Sequence, residues 1–137
     1  MIDNRGAPYA ALLLRLVSGV LFLAHAGLKI FVFTPAGTAK FFGSIGLPEG
    51  LAYVIIVIEV IGGLALILGV YARAVAVILA IELLGTIVTV HGANGMFFNN
   101  PNGGWEYPAF WAATLIALAL LGDGAHALRA TPIGTKP

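Results

Sequence analysis

Residues 50–68 read GLAYVIIVIEVIGGLALIL, nineteen positions with one charged side chain, Glu59, and no alternation of polar with apolar residues. An unbroken apolar run of this length, near the ~20 residues a helix needs to cross a bilayer, reads as a membrane-spanning helix. A strand would be shorter. In lipid, only helices or closed barrels satisfy their own backbone. Working outward, similar runs cover residues 8–33, 74–91 and 107–121, with Pro8 suited to a first helical turn. The expected fold class is an all-α membrane protein: a four-transmembrane-helix bundle forming a single domain over residues 1–137.

Composition supports this reading. The chain is 60% apolar and 9% charged, with seven Lys and Arg and six Asp and Glu among 137 residues, and its mean hydropathy is +1.00. So few charges cannot cover a water-soluble surface, for which about a quarter charged is usual. The net charge of +1 and the absence of a basic run give no nucleic-acid partner. The lack of cysteine excludes disulfide exchange, thiolate catalysis and Cys-ligated iron–sulfur or zinc sites within the chain.

Arg5, an apolar stretch and Ala24-His25-Ala26 superficially resemble a cleavable leader. Arg15 interrupts that stretch and apolar residues resume at Ile30–Phe33, so a retained helix is expected. The 34–46 connection contains Ala39-Lys40-Phe41-Phe42, suited to a short interfacial helix, and the last dozen residues, with Pro132, Gly134 and Pro137, read as a frayed tail. With four spans, Arg5, Arg73, Arg129 and Lys136 share one side, and Lys29 and Lys40 lie toward the other. The positive-inside rule then makes both termini cytoplasmic.

Ionisable residues inside spans are costly in lipid and point inward toward partners. They are Arg15 and His25, with Lys29 near the outer end of the first span, Glu59 in the second and Glu82 in the third. At 1.5 Å per residue, Arg15 lies roughly 10 Å and Glu59 and Glu82 roughly 15 Å from the cytoplasmic ends. A buried charge network of Arg15 with Glu59, Glu82 or both is expected. It either fixes helix rotation or forms a proton path. Glu82 shares a face with Thr86 and Thr89, whereas His91 falls about 180° away on a straight helix, outside the Glu82 pocket.

His25, Lys29, His91, Glu106 and Tyr107 form a second group at the outer end. One reading is a snorkelling lysine, an aromatic belt of Trp105, Tyr107 and Trp111, and histidines hydrogen-bonded to backbone. The other is a headgroup site at which a histidine exchanges protons with a quinone. No HxH or HxxxH spacing exists, so no metal is assigned. No residue is assigned a catalytic role: nucleophile triads, phosphate loops and dinucleotide fingerprints are all missing.

Leu14-Arg15-Leu16, Gly19, Phe22 and His25-Ala26-Gly27-Leu28-Lys29 open a pattern that continues through Phe41-Phe42, Gly46-Leu47-Pro48, Glu59-Val60-Ile61-Gly62-Gly63, Leu68-Gly69 and Arg73 to Val90-His91, Glu106-Tyr107 and Gly122-Asp123-Gly124. Over about residues 12–124 it resembles the DoxX family of small bacterial membrane proteins. The resemblance implies a multi-pass inner-membrane protein of four helices. It also implies a role as a membrane component of an oxidoreductase system linked to quinones or to thiol and sulfur metabolism. A bound quinone, partner redox subunits or a homo-oligomer go with that role. The alternatives are a non-enzymatic anchoring or assembly subunit and a small transporter or proton path.

Overall fold

A computed structural model describes residues 3–132. Gly134, Lys136 and Pro137, expected in the tail, lie outside the described residues. Helix α1 runs Ala7–Gly27 and continues through a π-helical turn at Leu28–Val32. Helix α2 is Pro35–Ser44 and α3 is Gly50–Leu68. Helix α4 runs Ala72–Thr86 and continues through a second π-helical turn, Ile87–His91, while α5 is Glu106–Leu121. The apolar runs thus become helices with bounds close to those expected, and the 34–46 connection does hold a helix. Thr34 caps α2, its hydroxyl accepting from the Gly37 N–H at 3.1 Å. Three of the helices, counting the π-helical continuations, are long and apolar enough to cross a membrane; α5, with 16 residues, is apolar but shorter.

The helices run up and down, so the bundle has two ends. The start of α1, the α3–α4 turn and Asp123 lie at one, the turn end. The 92–105 loop and α2 lie at the other, the loop end. Helix α1 packs chiefly on α3, and α4 on α5. The first contact depends on small residues. A Cβ on Gly19 would stand 2.7 Å from the Gly63 carbonyl oxygen, and one on Gly63 2.9 Å from that of Gly19. Where lipid supplies no hydrophobic drive between helices, such backbone approach is what holds them together. Phe22, Leu66, Leu79, Trp111, Leu115 and Leu118 fill the centre. Val88 (85% exposed) and Phe110 (75%) stand outward with Leu13, Val54, Val57, Ile61 and Ile81. An apolar outer surface of this extent suits lipid contact.

The turn end is clasped. Helix α3 stops at Gly69 in the left-handed region (φ 68°), with Gly69 N–H donating to Leu66 O (3.2 Å) and Val70 N–H to Ala65 O (2.9 Å), the paired bonds of a Schellman motif. The segment after α5 folds back under the bundle. Ala125 N–H donates to Pro8 O, Leu128 N–H to Leu68 O and Arg129 N–H to Gly69 O. Residues through Thr131 are therefore not the frayed tail the sequence suggests, because their backbone hydrogen bonds complete the ends of α1 and α3. The Asp123 carboxylate accepts from the Thr131 N–H (2.9 Å), the Thr131 hydroxyl (2.7 Å) and the Arg73 N–H (3.2 Å). Burial alone pushes this carboxyl up, but the bonds from Thr131, Arg73 and Ala72 outweigh it and hold Asp123 below the ordinary carboxylate range.

Candidate functional site

Arg15 belongs to this clasp and not to the carboxylates. It is 1% exposed. Its Nε donates to Leu66 O (3.1 Å) and one terminal nitrogen donates to the carbonyls of Asp123 and Ala125 (3.2 Å to the latter). The expected pairing with Glu59 or Glu82 does not form. The reason is directional: side chains on a helix lean toward its N-terminus. Arg15 therefore reaches down α1 to the turn end, away from the carboxylates.

The same lean brings Lys29 to Glu59. Lys29 Nζ donates to both carboxylate oxygens, at 2.7 and 2.9 Å, and Glu59 is 4% exposed. Lys29 therefore reaches inward instead of snorkelling to the membrane surface. Glu82 stands within electrostatic reach of both, and its Oε2 is buried without a hydrogen-bond partner.

These three residues line a cavity of about 760 Å³ near the loop end. His25 enters it from α1, Leu51 and Ile55 from α3, Thr86 and His91 from α4, and Tyr107 and Trp111 from α5, with Phe41 and Phe42 of α2 across from them. Its wall is mostly apolar, with polar groups concentrated on a few side chains. Volume and lining match those of small-molecule sites. The hydroxyls of Thr86 and Thr89 bond within their own helix, to Leu83 O and Gly85 O.

Glu82 and His91 share this cavity, contrary to the straight-helix expectation. The π-helical turn Ile87–His91 is the reason. Its i→i+5 bond adds a residue to one turn and rotates the end of the helix by about 100°, bringing His91 to roughly 80° from Glu82. His91 Nδ1 then lies 3.0 Å from Gly103 O, tying α4 to the 92–105 loop. His25 Nδ1 lies 2.9 Å from Leu21 O, one turn back on its own helix.

Of the five residues expected at the outer end, four line the cavity. Glu106 does not: its Oε1 accepts from the Phe98 N–H at 2.9 Å and shapes the loop. Trp111, expected in an interfacial belt, is instead 5% exposed, with its ring centroid 4.3 Å from Phe22, 5.2 Å from His25 and 5.9 Å from Tyr107. Its Nε1–H is buried without a partner. The sequence signal for it is the Tyr107–Trp111 spacing of one helical turn, which puts both on one face but does not say which way that face looks. Among the described residues, no three His, Asp or Glu side chains converge as a metal site requires.

A family model for DoxX matches residues 10–92. A protein of Bacillus subtilis (strain 168) named "Putative oxidoreductase CatD" is 41% identical over 120 residues, covering 88% of this chain and 84% of that one. An uncharacterized protein of Haemophilus influenzae is 32% identical over 123 residues, covering 88% of this chain and 89% of the other. No solved structure matches the chain. The family match spans α1 through the second π-helical turn, which contribute most of the cavity, and with the identity to the Bacillus protein it shows that this chain belongs to the DoxX family.

Proposed function

We propose that this protein is a four-span component of the bacterial inner membrane, with both termini cytoplasmic, that binds a quinone ring in its loop-end cavity as part of a quinone-linked oxidoreductase system. One observation carries the reading. The mostly apolar cavity holds two buried polar atoms without hydrogen-bond partners, the Trp111 Nε1–H, a donor, and the Glu82 carboxyl oxygen Oε2. Native proteins rarely leave such groups buried alone, and a ligand that pairs with them recovers their cost. A flat ring with polar oxygens and an apolar tail fits both the polar groups and the walls of Leu51, Ile55 and Phe41. The oxidoreductase name of the Bacillus relative agrees with it.

A quinone supplies two-electron, two-proton chemistry when bound. The chain's own residues position the ring and handle protons. Trp111 donates to a ring oxygen, His25 and His91 place imidazole nitrogens on the cavity wall, and the Lys29–Glu59 pair keeps one end of the cavity polar. The chain has no cysteine, so the reading assigns electron transfer to partner redox subunits.

Titration with a short-chain quinone tests the site. Fluorescence quenching should saturate in wild type, and the saturable part should vanish in Trp111→Phe, which leaves only Trp105. His25→Ala removes the ring whose centroid lies 5.2 Å from that of Trp111 and should weaken binding several-fold. Unsaturable quenching, the same in every variant, would mean partitioning into detergent and would favour an anchoring subunit.

The orientation rests on the Lys and Arg asymmetry. Reporter fusions at the C-terminus and within the Asn94–Asn102 loop should report opposite sides, the C-terminal one cytoplasmic. A periplasmic C-terminus would overturn the orientation without touching the cavity.

A further inference from the structure

The cavity wall runs round one side of α4. Leu83 and Gly85 both line the cavity, yet they stand about 160° apart on the helix. Leu83 is buried and Gly85 is exposed. Glu82 and Thr86, also on the wall, fall between them, at about 60° and 100° from Gly85. That side of α4 is the one toward α3. Leu79, about 120° from Gly85 on the same side, packs on Gly62, where a Cβ would stand 3.0 Å from Leu79 Cδ2. Ile81 and Leu84 lie round the other side and line a separate groove between α4 and α5. The cavity therefore reaches the outer surface of the bundle between α3 and α4.

These two helices meet near their turn and part beyond it. A Cβ on Gly85, six residues and about 9 Å past Leu79, would meet nothing within 4 Å. Thr89, one turn further, is exposed too and lines the cavity. This lip lies on the lipid-facing side of α4, between exposed Ile81 and exposed Val88. The loop end is covered instead. Phe98 and Gly103 of the 92–105 loop line the cavity there. Asn94 Nδ2 donates to Gly103 O (3.1 Å) and Asn100 Nδ2 to Asn94 O (2.9 Å), adding to the His91 and Glu106 contacts that pin this loop.

We infer that the gap between α3 and α4 is a lateral mouth, kept open by Gly85, through which the alkyl or prenyl tail of a membrane-borne ring compound runs from the cavity into the bilayer. This rests on the quinone-site reading above and narrows its substrate class: a ligand taken from lipid, not a small ring taken from water. A chain leaving by this route stays in hydrocarbon, so its methylenes never meet water.

The test is photocrosslinking of the wild-type protein in lipid nanodiscs. The probe is a benzoquinone with a decyl tail carrying a diazirine near the ring, used with and without excess untagged decyl compound. Competable labels should map to α3 and α4 beside the mouth, Ile81–Val88 included. Competable labels on α2 or the 92–105 loop would overturn the mouth and leave the quinone site standing. Gly85→Phe fills the lip. Followed by Trp111 quenching, it should lower the affinity of the decyl compound relative to the tailless ring about tenfold, the scale of crowding a side chain into occupied space. An unchanged ratio would also overturn the mouth alone. Should the variant fail to fold, the labelling pattern on wild type decides. No saturable quenching and no competable label from any compound overturns mouth and site together.

Discussion

Arg15→Leu is expected to destabilise the bundle by about 3–5 kcal/mol, the range for removing one partner from a buried, charge-assisted hydrogen-bond set. The carbonyls of Asp123 and Ala125 lose the Arg15 donor, and Leu66 O keeps only the Gly69 N–H. Arg15→Lys should recover part of the loss, because an ammonium keeps the charge but not the planar fork that reaches two segments at once. Unfolding in mixed micelles, followed by circular dichroism, measures both. The decisive comparison is Arg15→Leu combined with Glu59→Leu. Arg15 has no contact with that carboxylate, so the second change should add its own cost. Rescue by it would show that the guanidinium and the carboxylate are partners after all.

The second large effect belongs to Lys29 and Glu59. Lys29→Leu leaves the buried Glu59 carboxylate without its cation and should cost about 3–5 kcal/mol; Glu59→Leu should cost less, because Glu82 stays within electrostatic reach of Lys29. The double variant removes both charges and should be milder than the sum, with a coupling energy of at least about 1 kcal/mol in a double-mutant cycle. Strict additivity would mean that the ion pair contributes nothing as a pair. Wild-type-like stability of Lys29→Leu would mean that water reaches the remaining charge.

Helix positions were legible because uninterrupted apolar runs, Pro8 and the Gly69 stop are local signals. Which charges belong inside the bundle was legible too, since lipid tolerates neither Arg15 nor Glu59. Their partners were not. Depth along a helix axis treats Arg15 as free to reach either way, and only the lean of the side chains toward the N-terminus separates Arg15 at the clasp from Lys29 at the carboxylate. Backbone carbonyls, which take Arg15, carry no sequence signal. Nor did residues 87–91 disclose their π-helical turn, so the rotation that brings His91 beside Glu82 came only with the structure. Trp111 shows the remaining limit: helical spacing grouped it with Tyr107, but the facing of α5 depends on its packing against α1 and α4.

The clasp also orders events in time. Asp123 and Ala125 come 108 and 110 positions after Arg15. At about 5–20 residues per second, a ribosome needs on the order of 5–20 s to make that stretch. Throughout that interval, α1 carries its arginine without the two carbonyls that will receive it. Insertion of the first helix and its final anchoring are therefore separate steps of biogenesis. A nascent chain that stalls before Asp123 would present a guanidinium lacking two of its carbonyl partners to the membrane.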